Sequence, residues 1–241
     1  MRLSTQARIG LGRAGNAVPT RGLLEFAAAH SAARDAVHTR LDVEALRAAV
    51  HSIGLGDPSV VTSQAATRSA YLRRPDLGRM PADLSSIPKS KADIGFVLCD
   101  GLSPRALGNH GVALLAALWE ALPAYALAGP VIATQARVAL GDHIAVAMGV
   151  ATVIVLIGER PGLSVAESIG IYLTHHPRIG CADSERNCIS NVHPPEGLGY
   201  EHAAAITASL VKGARALGRS GVDLKDTSRD PAITVANGGA A

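Results

Sequence analysis

Many side chains in this sequence could do chemistry, but few stand at a spacing that lets them act together. Cys188 and His193 are close enough to suggest a thiol nucleophile and its base. The bland alternative is a Cys that serves as a small buried hydrophobe. Cys181 and Cys188 lack the short paired spacing of a zinc knuckle. His175 and His176 are neighbours, and neighbours on a strand point to opposite faces, which is poor for chelating one ion. No HExxH occurs, and no lysine follows a glycine, so the usual P-loop is excluded. Gly10-Leu11-Gly12-Arg13-Ala14-Gly15 matches GxGxxG. However, the residues before it make a poor buried strand, and Pro19 interrupts before the next helix. The run reads better as a flexible glycine-rich arm.

The more informative chemistry lies at 157–192, a stretch rich in Gly, Ser, Asn and charge. It reads as a long solvated loop flanked by core elements, and such a loop in a compact domain usually binds something. Glu159 and Arg160 open it, directly after the apolar run 151–157 (ATVIVLI). That run predicts a strand buried on both faces. Glu159 would then put a carboxylate at a ligand-binding edge, unless it only pairs with Arg160 at the surface.

The elements that must position these residues follow from periodicity. Residues 1–22 read as an arm. Helical spacing runs through 23–50, with Leu23, Leu24, Phe26 and Ala27 near one face, and again near 43–53. Four prolines make 54–91 loop-like, with room for a short helix at 63–73. Residues 94–98 form an apolar strand ending at Asp100-Gly101, and Pro104 opens a helix carrying Leu107, Leu114, Leu115, Leu118 and Leu122. A strand near 130–133, a short helix at 143–148 and a helix at 200–217, with Ile206, Leu210 and Leu217 inward, complete the pattern. Strands alternating with helices predict an α/β fold: a Rossmann-like parallel sheet with helices on both faces, after a mostly helical N-terminal region. The expected divisions are 1–91 for that arm and helical region, 92–226 for the Rossmann-like domain and 227–241 for a disordered tail.

Composition narrows the partners. Aromatics make up only 3% of the 241 residues, too few for platforms that stack nucleic-acid bases. A net charge of +3 is too small to imply a polyanion. No run of about 18 apolar residues exists, so no membrane span is expected. An odd cysteine count without an apolar leader argues against a secreted disulfide framework, leaving the cytoplasm as the expected location.

An ordered series of motifs carries a resemblance. Ala7-Arg8-Ile9-Gly10-Leu11-Gly12-Arg13-Ala14-Gly15, Arg74-Pro75-Asp76-Leu77-Gly78-Arg79 and Asp100-Gly101-Leu102-Ser103 begin it. Ala136-Arg137-Val138-Ala139-Leu140-Gly141-Asp142, Val155-Leu156-Ile157-Gly158-Glu159-Arg160-Pro161-Gly162-Leu163 and Arg186-Asn187-Cys188-Ile189-Ser190-Asn191 continue it. Together they resemble the small subunit, or light chain, of ethanolamine ammonia-lyase over most of residues 5–225. The resemblance implies an adenosylcobalamin-dependent enzyme that converts ethanolamine to acetaldehyde and ammonia. It implies a large subunit built as a TIM barrel, a hexamer of heterodimers, and a corrin held between the two subunits. Cofactor contacts carried over are Val138, Glu159 and Cys188, with Arg137 as a further candidate, and no catalytic residue is carried over. No Asp-x-His occurs, so a base-on cofactor with no cobalt ligand from this chain is expected. The matching region begins by about Thr5, which favours a free cytoplasmic enzyme over one enclosed in a bacterial microcompartment. The alternative is a stand-alone nucleotide- or corrinoid-binding module without lyase activity.

Overall fold

The 151–157 run forms the centre of the protein, because residues that are apolar on both sides must be covered on both sides. A computed structural model describes residues 12–13 and 15–228. The strands are β1 (Ser59–Thr62), β2 (Ile94–Cys99), β3 (Val131–Thr134), β4 (Thr152–Gly158), β5 (Ile169–His175) and β6 (Asn187–Val192). They form one sheet in the order β1-β3-β2-β4-β5-β6. The first four are parallel, and β5 and β6 are antiparallel to their neighbours. The sheet is therefore mixed, which corrects the expectation of a Rossmann-like parallel sheet. The expected long loop at 157–192 is corrected as well, because it holds β5 and β6. Half of the glycine run at 10–15 lies outside the described residues, as does the expected tail beyond Ser228.

The helices are α1 (Thr20–His38), α2 (Val43–Ser52), α3 (Arg68–Arg73), α4 (Pro104–Ala121), α5 (Leu140–Met148) and α6 (Tyr200–Leu217). Alternation along each strand sorts side chains to two faces. Ile94, Phe96, Leu98, Ile154 and Leu156 join α2, α4 and α6 in one core. Val97, Cys99, Val153, Val155 and Ile157 join α5 in the other. Of the residues expected inward on α6, Leu210 is buried and Ile206 half-buried, but Leu217, the last residue of the helix, is 45% exposed. Helix α1 buries only Ala36, and its Leu23, Leu24 and Phe26 are exposed. Among the described residues no helix is long and apolar enough to cross a membrane.

The second face extends from α5 across β5 towards β6, and among the described residues no further helix covers it. A buried ion pair ties the two halves together there. Arg186, just before β6, donates from Nη1 and Nη2 to the two carboxylate oxygens of Asp142 on α5, both at 2.6 Å. It also donates to Thr174 Oγ1 on β5 and to the Cys181 carbonyl, each at 2.9 Å. Burial works against the Arg186 charge, but the bidentate Asp142 outweighs it and raises the guanidinium pKa. Removing one partner leaves the other charged and out of water, which costs about 3–5 kcal/mol. Asp142→Ala should lower unfolding stability by about that amount. It should also speed amide exchange in β6 more than in β2. Equal exchange in both strands would mean that the pair does not hold the ribbon.

Two histidines give the fold a pH dependence. His175 on β5 is buried and shares a 2.8 Å hydrogen bond with Thr152. Burial, His176 and Arg215 lower its pKa. Burial also lowers that of His110, which Glu167 partly offsets. Both start from an ordinary value of 6.5, so the unfolded chain binds more protons than the native one just below that pH. Stability should fall as pH drops below about 6.5 and hold steady above it. Replacing both histidines with glutamine should flatten this slope in chemical denaturation from pH 7 to 5.5, and an unchanged slope would assign it elsewhere.

Candidate functional site

Helix α4 carries the chain from β2 to β3 on one face, and α5 carries it from β3 past β2 to β4 on the other. The chain thus reverses direction around β2, and such switch points open a crevice at the carboxyl ends of the strands. The turn after β2 is pressed against the end of β4. Gly101 has φ of 56°, and a Cβ there would collide with the Gly158 carbonyl oxygen. A Cβ on Gly158 would likewise strike the Ser103 carbonyl oxygen. The Leu102 N–H closes the contact by donating to the Gly158 carbonyl at 2.9 Å.

The turn after β3 is fixed from the same place. The Asp100 carboxylate accepts from the backbone N–H groups of Gln135 at 2.8 Å and Ala136 at 2.9 Å. This grip holds Gln135 at φ of 52°, in the left-handed region that L residues disfavour. Burial pushes the Asp100 pKa up, and the two N–H groups and Arg68 pull it back. Arg68 Nη1 lies 3.6 Å from Asp100 and donates to the Gly101 carbonyl at 2.8 Å. Tyr71 on α3 donates to the Ala136 carbonyl at 3.0 Å. The guanidinium carbons of Arg68 and Arg137 lie 4.8 and 4.4 Å from its ring centre.

These turns enclose an open cleft of about 450 Å³. Its lining is Tyr71, Leu102, Arg137, Val138, Ile157, Gly158, Glu159, Arg160, Tyr172 and Ser190. Apolar surface from Leu102, Val138 and Ile157 therefore meets polar groups from Glu159 and Ser190. Glu159 reaches across β5 to β6. Its Oε1 accepts from Ser190 Oγ at 2.5 Å. Its Oε2 accepts from Ser168 Oγ at 2.7 Å and from the Asn191 N–H at 3.1 Å. Gly170 leaves room for the crossing, since a Cβ there would crowd Glu159 Oε1 at 3.0 Å. Asn191 has φ of 65°, so the end of β6 is bent into a donor for this carboxylate.

Cys188 is paired with Tyr172 across the β5–β6 ladder. It lies on the same sheet face as Ser190, about 7 Å further along the strand. Desolvation and the Glu159 charge raise its thiol pKa, and a hydrogen bond from Tyr172 only partly offsets them. His193 Nε2 instead contacts Asn191 Oδ1 at 2.9 Å. Cys188 and His193 are not brought together as nucleophile and base. No group of three or more His, Cys, Asp or Glu able to hold a metal occurs among the described residues.

Comparison with known proteins decides the family. The family model described as "Ethanolamine ammonia-lyase light chain (EutC)" matches residues 1–225. The chain belongs to the ethanolamine ammonia-lyase light-chain family. It is 68% identical over 234 residues to the ethanolamine ammonia-lyase small subunit of Rhodococcus erythropolis, covering 97% of this chain and 91% of that protein. It is 46% identical over 243 residues to the small subunit of Rhodopseudomonas palustris, covering 98% and 92%. It is 45% identical over 240 residues to that of Bradyrhizobium diazoefficiens, covering 96% and 91%. These relatives are named as subunits of an ammonia-lyase.

In this light chain Arg137, Val138 and Glu159 line one cleft, and Cys188 stands on the strand that flanks it. Sequence reasoning missed Tyr71 and Tyr172 as lining residues, and it gave Ser190 no role. Ser190 had a usable signal: it alternates with Cys188 and would share its face, had β6 been recognised. Tyr71 had none, because only folding brings α3 to the end of β3. The raised thiol pKa has a direct readout in the isolated light chain. Iodoacetamide should modify Cys188 more slowly at pH 7.5 than it modifies free cysteine, as followed by peptide mass spectrometry. The rate should rise with pH and keep climbing past the ordinary thiol value of 9.0 before it levels off. A rate at or above that of free cysteine would indicate a stabilised thiolate.

Proposed function

We propose that this chain is the small subunit of an adenosylcobalamin-dependent ethanolamine ammonia-lyase, and that its cleft contributes to the cobalamin site at the interface with a large catalytic subunit. The observation that carries this reading is the sharing of one open cleft by Arg137, Val138 and Glu159 at the switch point of the sheet. The donor set fits the group. A corrin is a broad apolar disc fringed with amides, and the cleft offers Val138, Leu102 and Ile157 beside hydrogen-bonding Glu159 and Ser190. In this reading the cofactor is bound base-on and takes no cobalt ligand from this chain.

Adenosylcobalamin, when bound, supplies the radical chemistry by which ethanolamine becomes acetaldehyde and ammonia. The residues of this chain bind and orient. Val138 and Leu102 exclude water by packing. Glu159, which accepts from three donors, keeps acceptor capacity for an N–H group. Arg137, stacked on Tyr71, offers a positioned donor. In this reading the catalytic groups belong to the large subunit. In this reading the large subunit is a TIM barrel, the assembly is a hexamer of heterodimers, and residues 92–226 are the cobalamin-contacting domain. Strand β1, from the 1–91 region, completes the edge of that domain's sheet. The complex is cytoplasmic, either free or within a bacterial microcompartment.

Co-purification tests the reading. Expressed alone, the chain should bind cobalamin poorly and deaminate no ethanolamine; expressed with a large subunit, it should yield a complex that retains cobalamin. Glu159→Ala in that complex removes a hydrogen bond to a charged acceptor, which should weaken cobalamin binding about 10–100-fold. The KM for ethanolamine should change far less. Equal loss of both affinities, or lyase activity from this chain unaided, would overturn the assignment.

A further inference from the structure

The hydrogen bonds around Glu159 have a polarity that extends into the cleft. A serine hydroxyl has one proton to donate and two lone pairs. An ionised carboxylate can only accept. Ser190 Oγ stands 2.5 Å from Glu159 Oε1, so its proton points at the carboxylate. Ser168 Oγ and the Asn191 N–H spend their protons on the other carboxylate oxygen. All three donors therefore turn inward. Ser190 is exposed and lines the cleft, and what it presents there is lone pairs. A hydroxyl that ordinarily adapts to either kind of ligand is locked as an acceptor. Beside it, Oε1 keeps an unused acceptor direction of its own. This wall has acceptors and no proton to offer. Arg137 and Arg160 also line the cleft, and each can only donate.

The geometry points to Ser190 as a specificity-determining residue, held by Glu159 as an acceptor that selects an N–H-bearing carboxamide arm of the ligand over the corresponding carboxylate. A carboxamide satisfies both polarities of the cleft, because its NH₂ donates to Ser190 and Glu159 and its carbonyl accepts from an arginine. Hydrolysis of the amide to an acid replaces the donors with two acceptor oxygens and a negative charge. That acid then faces the lone pairs of Ser190 and the charge of Glu159, and acceptor meets acceptor with no proton between them. This inference rests on the cobalamin reading given above and extends it to one edge of the corrin.

The test uses the purified two-subunit complex and measures equilibrium binding, with no turnover required. The probes are adenosylcobalamin and its monocarboxylic acids, in each of which one side-chain amide is hydrolysed. The wild-type complex should bind one of these acids roughly 10–100-fold more weakly than the amide form. Glu159→Gln keeps the shape but supplies protons, and should bring that acid to within about 3-fold of the amide form. Ser190→Ala should weaken the amide form by roughly 3–10-fold, and Ser190→Thr, which keeps the hydroxyl, should restore it. The inference is overturned if every acid binds the wild type as tightly as the amide form. It is also overturned if Glu159→Gln alters binding while Ser190→Ala alters neither affinity nor discrimination, although the cobalamin reading would survive that result. A wild-type complex that binds no cobalamin at all would remove both.

Discussion

A guanidinium and a carboxylate that are both out of water can persist only if each satisfies the other, and the Arg186–Asp142 pair meets that condition with two parallel 2.6 Å bonds. Much of the architecture leans on it. The parallel half of the sheet is covered by helices on both faces, as a parallel sheet requires. Among the described residues the antiparallel half has α6 on one face and nothing helical on the other. Without a covering helix, β5 and β6 need a different anchor, and Arg186 supplies it from the chain just before β6. Its remaining bonds, to Thr174 and to the Cys181 carbonyl, tie β5 and the intervening turn into the same knot. The uncovered face that results is the one on which Tyr172 and Ser190 reach the cleft. The ion pair therefore permits a wall of the site to exist as bare sheet.

The parts of the fold that were readable share a physical cause. β4 and β2 are buried on both faces, so their sequences are continuous apolar runs that admit one interpretation. α4 carries a leucine stripe, a proline at its first turn and Ser103 as its N-cap, three local signals that agree. β6 fails for the opposite reason. Only Ile189 and Val192 are buried along it, and its other face looks onto the cleft, so Asn187-Cys188-Ile189-Ser190-Asn191 has the composition of a loop. β5 is apolar enough to be seen, but Gly170 breaks it at the point where Glu159 must cross. The four residues of β1 are too few to carry any period. Strand direction was the other hidden quantity. Nothing in the residues of β5 records that its partner runs the opposite way.

The site was legible where it follows directly from a strand. Glu159 comes immediately after β4, so the rule that ligands sit at strand carboxyl ends places it directly, whereas Arg137 and Val138, shortly after β3, were legible only through the family resemblance. The residues that organise them come from elsewhere in the chain. Asp100 shapes the turn that carries Arg137 through backbone N–H groups, a contact with no side-chain signature. Tyr71 arrives from a six-residue helix that precedes the main sheet strands. Arg68 links the end of α1, through the Val37 carbonyl, to the Gly101 turn. Such cross-links depend on which segments meet in space, and sequence separation conceals that.

The contact between Gly101 and Gly158 divides the rim of the cleft into two kinds of position. At these two glycines the backbones of neighbouring turns touch, and any substituent would have to push main chain aside. Ligand preference along this edge can therefore be retuned only one step away, at Leu102 on one turn and at Glu159 or Arg160 on the other. The Leu102 N–H bond to the Gly158 carbonyl couples the two turns, so shape at one side of the rim and charge at the other are set together.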